Sequence, residues 1–219
     1  MQGYTSITIK GNQMNKLLQR TIQVVFLLLF ILLLIKGRIQ IWMGIYLVSF
    51  LASFIFSRFY CGWICPINTL LKPITWAKKK LHIKSVSTPG IFAKTWVRIL
   101  MLSLFLAALA LAVKTGKKLP VLPVLVGFGV VITLLFSEEF FHRYLCPYGF
   151  ALSLTSRTAK KGMVIDAELC NNCGMCKRVC PSLAVVKDGK HRIITNDCLV
   201  CKECERNCKQ EAIKYRTIK

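Results

Sequence analysis

Eight of the eleven cysteines stand in two copies of one spacing near the C-terminus. The first copy is Cys170, Cys173, Cys176 and Cys180; the second is Cys198, Cys201, Cys204 and Cys208. Both read Cys-x2-Cys-x2-Cys-x3-Cys. Thiolates are soft ligands, and this run suits a 4Fe–4S cluster. The chemistry it predicts is movement of single electrons.

The spacing has a mechanical reason. Three close cysteines wrap one face of a cubane, and the fourth points away to ligate the other cluster, as in two-cluster bacterial ferredoxins. Cluster I is therefore expected on Cys170, Cys173, Cys176 and Cys208. Cluster II is expected on Cys198, Cys201, Cys204 and Cys180. Pro181 follows the first run, whereas Lys209 follows the second. A lone Cys-x2-Cys pair would also suit zinc. Two complete runs in tandem argue against zinc, and thiols this dense argue for a reducing compartment rather than disulfides.

The other three cysteines, Cys61, Cys65 and Cys146, each follow an apolar run. Cys61 and Cys65 precede Pro66; His142 and Cys146 precede Pro147. A separation of four places each pair one helical turn apart on one face. Cys61, Cys65, His142 and Cys146 thus form a candidate third redox or metal site, with donors suited to iron, a cluster, copper or zinc. Two other readings stay open: buried structural cysteines before a helix-stopping proline, and a thiol-exchange pair at Cys61/Cys65. Glu138 and Glu139 are the only acids in residues 1–156. On a continuing helix Glu138, His142 and Cys146 share a face, so the two glutamates are candidate acceptors for quinol protons. The alternative is an ion pair with Arg58 or Arg143. His82 and His191 read as surface residues. Tyr60, Trp63, Tyr144 and Tyr148 read as an interfacial aromatic belt.

Four apolar spans must carry these motifs: Leu17–Ile35, Ile39–Ser57, Val97–Val113 and Pro120–Ser137. The mean hydropathy of +0.52 is too high for an ordinary soluble domain. Each span is near the length a membrane helix needs. The first is too long for a cleavable signal and runs into Lys36, Arg38 and a second span. Lys10, Lys16 and Arg20 stand before or at the start of the first span, and Arg58, Lys72, Lys78, Lys79, Lys80, Lys84 and Lys94 fill the second connection. Only Lys36 and Arg38 lie in the first connection, and Lys114, Lys117 and Lys118 in the third. This bias puts both termini in the cytoplasm. The net charge of +22 then reflects topology and anionic lipid rather than nucleic acid.

The expected fold is an α-helical membrane protein with a cytoplasmic α+β ferredoxin-type domain. Its parts are a tail (1–16), a four-helix membrane domain (17–155), a basic linker (156–162) and a two-cluster ferredoxin domain (163–219). Short strands are expected at Gly162–Asp166, Ala184–Lys187 and Arg192–Thr195. An amphipathic surface segment is expected around Lys78, Lys79 and Lys80, with Trp76, Leu81 and Ile83.

These motifs in this order resemble the NapH/MauN-type membrane-bound polyferredoxins. The likeness is carried by Tyr60 to Thr69 and Arg143 to Gly149, joined to the two ferredoxin runs. It implies a protein of a prokaryotic inner membrane, multi-pass, passing electrons between the quinone/quinol pool and redox partners through two 4Fe–4S clusters. The implied partners are other redox subunits: a flavin- or cytochrome-containing protein, or a reductase. The chain departs at His142, where the family pattern has a cysteine, and carries no flavin-binding segment. Two further functions stay open, a copper reductase or assembly factor using the membrane-edge donors and a relay subunit of a larger oxidoreductase.

Overall fold

The computed structural model describes residues 2–83, 85–86, 90, 92, 94–115 and 121–218. Lys84, Lys117, Lys118 and Pro120, used above for topology and span limits, lie outside them, as do the chain ends.

Among the described residues, eight α-helices precede the first strand. α1 spans Gln2–Ile35 and α2 spans Gln40–Phe56. α3 (Phe59–Trp63) and α4 (Pro66–Lys80) follow. α5 is Thr95–Thr115, and α6 is Val121–Leu135. α7 (Glu138–Phe140) continues as a π-turn through Phe141–Leu145, and α8 is Pro147–Thr155. The expected tail is helical from Gln2 and continuous with the first span.

Lys16–Ile35 is 20 residues and is long and apolar enough to cross a membrane. Gln40–Phe56, Thr95–Leu111 and Val121–Leu135 are apolar but shorter. The surface of this half is nonetheless inside out. Val24, Leu28 and Leu32 on α1, and Leu47, Val48 and Leu51 on α2, face outward. The buried positions near the start of the apolar part of α1 are Gln19 and Gln23. Both side chains donate to the Gly62 carbonyl, at 2.9 and 2.7 Å. Water would reverse that arrangement, whereas hydrocarbon favours apolar residues outside and paired polar groups inside.

The halves of this region interlock. α2, α3 and α4 form one unit; α6, α7 with its π-turn, and α8 form another. α4 packs on α6, and α8 packs on α2. The core between them includes Trp42, Tyr60, Leu71, Phe141 and Leu152. Trp42 donates to the Tyr60 hydroxyl at 2.9 Å and meets Phe30 edge-on.

The C-terminal region holds β1 (Lys161–Ile165), α9 (Met175–Arg178), β2 (Val185–Asp188), β3 (Lys190–Ile193), α10 (Glu203–Arg206) and β4 (Ile213–Thr217). β1 pairs antiparallel with β4, from Lys161↔Thr217 to Ile165↔Ile213. β2 and β3 form a tight hairpin through Gly189, whose φ of 68° is left-handed. β4 was not expected from sequence. The expected linker is no free tether: Ser156 is fully buried in a 3-10 turn, and Ser57 Oγ donates to the Lys161 carbonyl at 2.6 Å.

α4 carries its basic run as an exposed edge with Trp76, Leu81 and Ile83, but Lys78 turns inward. Its Nζ donates to the carbonyls of Thr133, Leu134 and Phe136, at 2.9, 3.1 and 3.1 Å. It thereby caps the end of α6, where helical carbonyls lack partners. Lys78→Ala leaves those carbonyls orphaned and is expected to destabilise the helical region by about 1–3 kcal/mol, read as a lowered thermal midpoint in detergent.

Candidate metal centres

Two hollows in the C-terminal region are lined by the eight ferredoxin-type cysteines, four in each. The first, of about 330 Å³ including its open side, has Cys170, Cys173, Cys176 and Cys208 in its wall. The second, of about 300 Å³, has Cys180, Cys198, Cys201 and Cys204. The crossed grouping of the fourth cysteines therefore appears in the backbone path itself. α9 and α10 each begin after a left-handed residue, Gly174 (φ 74°) and Lys202 (φ 59°). Such turns aim successive N–H groups inward, which suits an anionic sulfur cage.

The donor chemistry fits a cluster in each hollow. Ala184 N donates to Cys180 Sγ at 3.3 Å, and Val200 N to Cys198 Sγ at 3.4 Å. Burial, and then the neighbouring thiols, push Cys198 up to about 12. Burial likewise pushes Cys201 up to about 11. Thiolates in such a place need a bound cation, which a metal core supplies. The hollows differ in exposure. In the second hollow Cys198, Cys201 and Cys204 are buried and Cys180 is half-buried; in the first Cys173 is exposed, Cys170 and Cys208 are half-buried and Cys176 is buried. His191 is buried in the wall of the first hollow, with Nδ1 2.6 Å from Asn172 Oδ1, so it is not the surface residue expected.

Beyond the ends of α2 and α6 the same turn is built twice. The Cys65 N–H donates to the Tyr60 carbonyl, and the Cys146 N–H to the Phe141 carbonyl, both at 2.9 Å. Each bond reaches back five residues, a widened turn that Pro66 or Pro147 then ends by starting a new helix. His142 thus occupies the place in the second unit that Cys61 holds in the first. Cys61, Cys65 and Cys146 are buried and close enough to interact electrostatically. His142 is buried too, and its Nε2 has no hydrogen-bond partner. Burial first, then Arg58 and Lys72, lower its pKa to about 3, so the ring is neutral. Asn68 Nδ2 and Arg58 Nε are likewise unpartnered. Among the described residues, no three His, Cys, Asp or Glu side chains gather at single-ion spacing.

Several sequence expectations need correction here. Glu138 does not pair with His142, Arg58 or Arg143; its Oε2 accepts from Thr75 Oγ1 at 2.8 Å. With Glu139 it lines a separate polar hollow of about 490 Å³, beside Lys78 and Lys79. The π-turn departs from the continuing α-helix on which the carboxylate–imidazole pair was premised. Tyr60, Trp63 and Tyr148 are buried rather than belt residues: Trp42 and Tyr46 cover Tyr60, the Val200 loop meets Trp63, and Tyr46 and Phe105 pack on Tyr148.

These two widened turns grip the second cysteine hollow directly. Trp63 Nε1 donates to the Val200 carbonyl at 3.1 Å. A Cβ on Gly62 would collide with the Leu199 carbonyl and come within 3.1 Å of Cys201 N. Arg143 Nη1 donates to the carbonyls of Ser182 and Leu183, at 3.2 and 2.6 Å, beside Cys180. Asp197, just before Cys198, pairs with Arg98 at 3.0 Å and Arg143 at 3.3 Å. Sequence reasoning missed Asp197, Arg98 and this role of Arg143. The available signal was a lone acid adjoining a cysteine run in a strongly basic chain.

A third hollow is an apolar groove of about 850 Å³ between α2, α3 and β4. Val48, Ala52, Phe56, Ile64, Tyr60 and Tyr215 are in its wall. No glutamate or histidine is among its lining residues, which separates it from the Glu138 hollow.

A family described as a 4Fe-4S binding domain matches residues 39–84 and 119–163, the two halves of the interlocked helical region. A second 4Fe-4S binding domain family matches residues 163–186. The chain is 27% identical to the ferredoxin-type protein NapH of Haemophilus influenzae, over 74% of this chain and 63% of that protein. It is 27% identical to the regulatory protein NosR of Pseudomonas aeruginosa, over 67% of this chain and 23% of that protein. It is 27% identical to the methylamine utilization ferredoxin-type protein MauN of Methylorubrum extorquens, over 59% of this chain and 50% of that protein. The match therefore spans less than two thirds of the length of these relatives. No solved structure matches.

Gly62→Ala should push α3 off the Leu199–Cys201 loop. The expected cost is about 1–3 kcal/mol, with faster hydrogen exchange at Val200 and Cys201 than in the parent protein.

Proposed function

We propose that this chain, which belongs to the NapH/MauN-type polyferredoxin family, passes electrons between a quinol pool in the membrane and soluble redox partners. That it is an iron–sulfur electron-transfer protein is the coarser statement, carried by the family matches. The observation that supports the finer reading is the pair of sulfur-lined hollows, the buried one pressed against the membrane-edge turns.

In this reading Cys170, Cys173, Cys176 and Cys208 hold an outer cluster, and Cys180, Cys198, Cys201 and Cys204 hold an inner one. Bound clusters supply one-electron acceptance and donation. α1, α2, α5 and α6 anchor the chain as a four-helix domain, with outward leucines and valines against lipid. Helices of 15–17 residues fall short of a full bilayer core, and local thinning accommodates them at modest cost. Both termini and the ferredoxin domain face the cytoplasm, following the basic connections.

The apolar groove beside Tyr60 suits the ring and tail of a quinol. Tyr215, in its wall, also interacts electrostatically with Cys198. Each quinol gives up two electrons and two protons, so one-electron carriers must take the electrons in turn. Glu138 and Glu139 remain candidate proton acceptors, now for the polar hollow they line rather than the groove. Cys61, Cys65, His142 and Cys146 are assigned to a third centre on the strength of three thiols, an unpartnered imidazole and a 4Fe-4S family match over both turns. The same soft donors favour copper handling as the second reading.

Anaerobic iron and sulfide analysis with EPR tests the assignment. Two clusters give about eight irons per chain. Iron or copper beyond that, lost in the Cys61→Ala/Cys65→Ala variant, establishes the third centre, and releasable copper favours the second reading. Fewer than eight irons in folded protein sinks the two-cluster reading. Filling the groove with Ala52→Trp is expected to slow quinol-driven cluster reduction by about tenfold or more, with reduction by dithionite unchanged. An unchanged quinol rate removes the groove from the path.

A further inference from the structure

Arg58 is among the most deeply buried large side chains, at 1% exposure. A guanidinium removed from water needs an anion beside it. Arg58 has no carboxylate of its own, because the Asp197 oxygens are held by Arg98 and Arg143. Its Nη1 donates to the Asp197 main-chain carbonyl at 3.4 Å, and its Nη2 to Cys61 Sγ at 3.8 Å. Nε has no partner. A Cβ on Gly149 would collide with Nη2, so the absence of a side chain there makes room for the cation beside Cys146. Three guanidinium groups thus crowd one aspartate, whose carboxylate pairs with only two of them. The missing negative charge has to come from sulfur-bound groups: Cys61 and Cys146 on one side, and Cys198 across the Asp197–Cys198 peptide on the other.

We propose that Arg58 is a positioning residue that joins the membrane-edge cysteines to the inner cluster and holds that cluster's reduction potential up against its burial. The proposal rests on the reading of Cys180, Cys198, Cys201 and Cys204 as cluster ligands. Two effects compete at this place. Reduction adds a negative charge, and burial makes that charge costly. The outer hollow has water near Cys173 to offset the cost; the inner one has none exposed to the same degree. A fixed positive charge at its edge replaces the solvent, as preorganised charges do in dry sites. Without it, an electron from the membrane edge would face an uphill step at the inner cluster.

The test is an EPR-monitored redox titration of Arg58→Gln and Arg58→Lys, with outer and inner signals assigned beforehand by a Cys173→Ser variant. Iron content is measured on every sample. Arg58→Gln is expected to lower the reduced-to-oxidised ratio of the inner cluster about tenfold at fixed ambient potential, which is about 59 mV for one electron. The outer cluster stays in place, and Arg58→Lys recovers most of the shift. An inner potential unmoved in Arg58→Gln, or lowered equally in Arg58→Lys, overturns the proposal. Should Arg58→Gln fail to load iron, Asp197→Asn decides: uncovering the cations must raise the inner potential, and no rise overturns the proposal. Wild-type protein with fewer than eight irons would instead defeat the cluster reading itself.

Discussion

Gly62 is where the helical region and the cysteine-rich region meet. Its carbonyl takes hydrogen bonds from Gln19 and Gln23 of α1, and its missing side chain lets α3 lie against the Leu199–Cys201 loop. Much else follows from that close approach. Trp63 reaches Val200, Arg58 reaches Asp197, and Cys198, Cys201 and Cys204 of the inner hollow are buried, with Cys180 half-buried. The polar side of α1 is turned inward for the same reason. A buried carbonyl without donors is expensive, and two glutamines remove that cost while leucines face outward.

The helical region is a duplication in which each unit completes the other. α4 of the first unit packs on α6 of the second, and α8 of the second packs on α2 of the first. The widened turns ending at Cys65 and Cys146 are thereby brought to one level, each followed by a proline that starts the next helix. The symmetry is broken chemically at Cys61 and His142, and again at Arg58, whose counterpart position holds Glu139. One unit supplies the buried cation; the other supplies an acid to a polar hollow outside the cysteine site. Two units that share the widened turn therefore carry different electrostatics.

The grouping of eight cysteines into two fours was legible from spacing, because cubane geometry dictates which sulfurs can meet. The four apolar helices were legible from hydropathy, and β1 and β2 from short runs bracketing the cysteines, while β3 begins two residues before the expected Arg192. β4 was not legible, since Ile213–Thr217 alternates with lysine and arginine and is held by pairing with β1. The pairing of Glu138 with His142 was misjudged because an i, i+4 argument assumes an unbroken α-helix, and the π-turn broke it. The buried states of Tyr60, Trp63, Tyr148 and His191 were also beyond reach, because aromatic residues at a helix end look alike whether lipid, water or another helix covers them.

By itself, then, the sequence determined the class of chemistry: soft sulfur donors at spacings that few other sites tolerate, beside helices too apolar for water. Those are local properties, set by residue type and distance along the chain. The tertiary structure alone decided which hollow is inner and which outer, and that three arginines crowd one aspartate between the cysteine sites. Arg58, Arg98, Arg143 and Asp197 lie on four separate segments. Their meeting depends on how the duplicated units interlock, and electrostatic energy follows distance in space rather than separation in sequence.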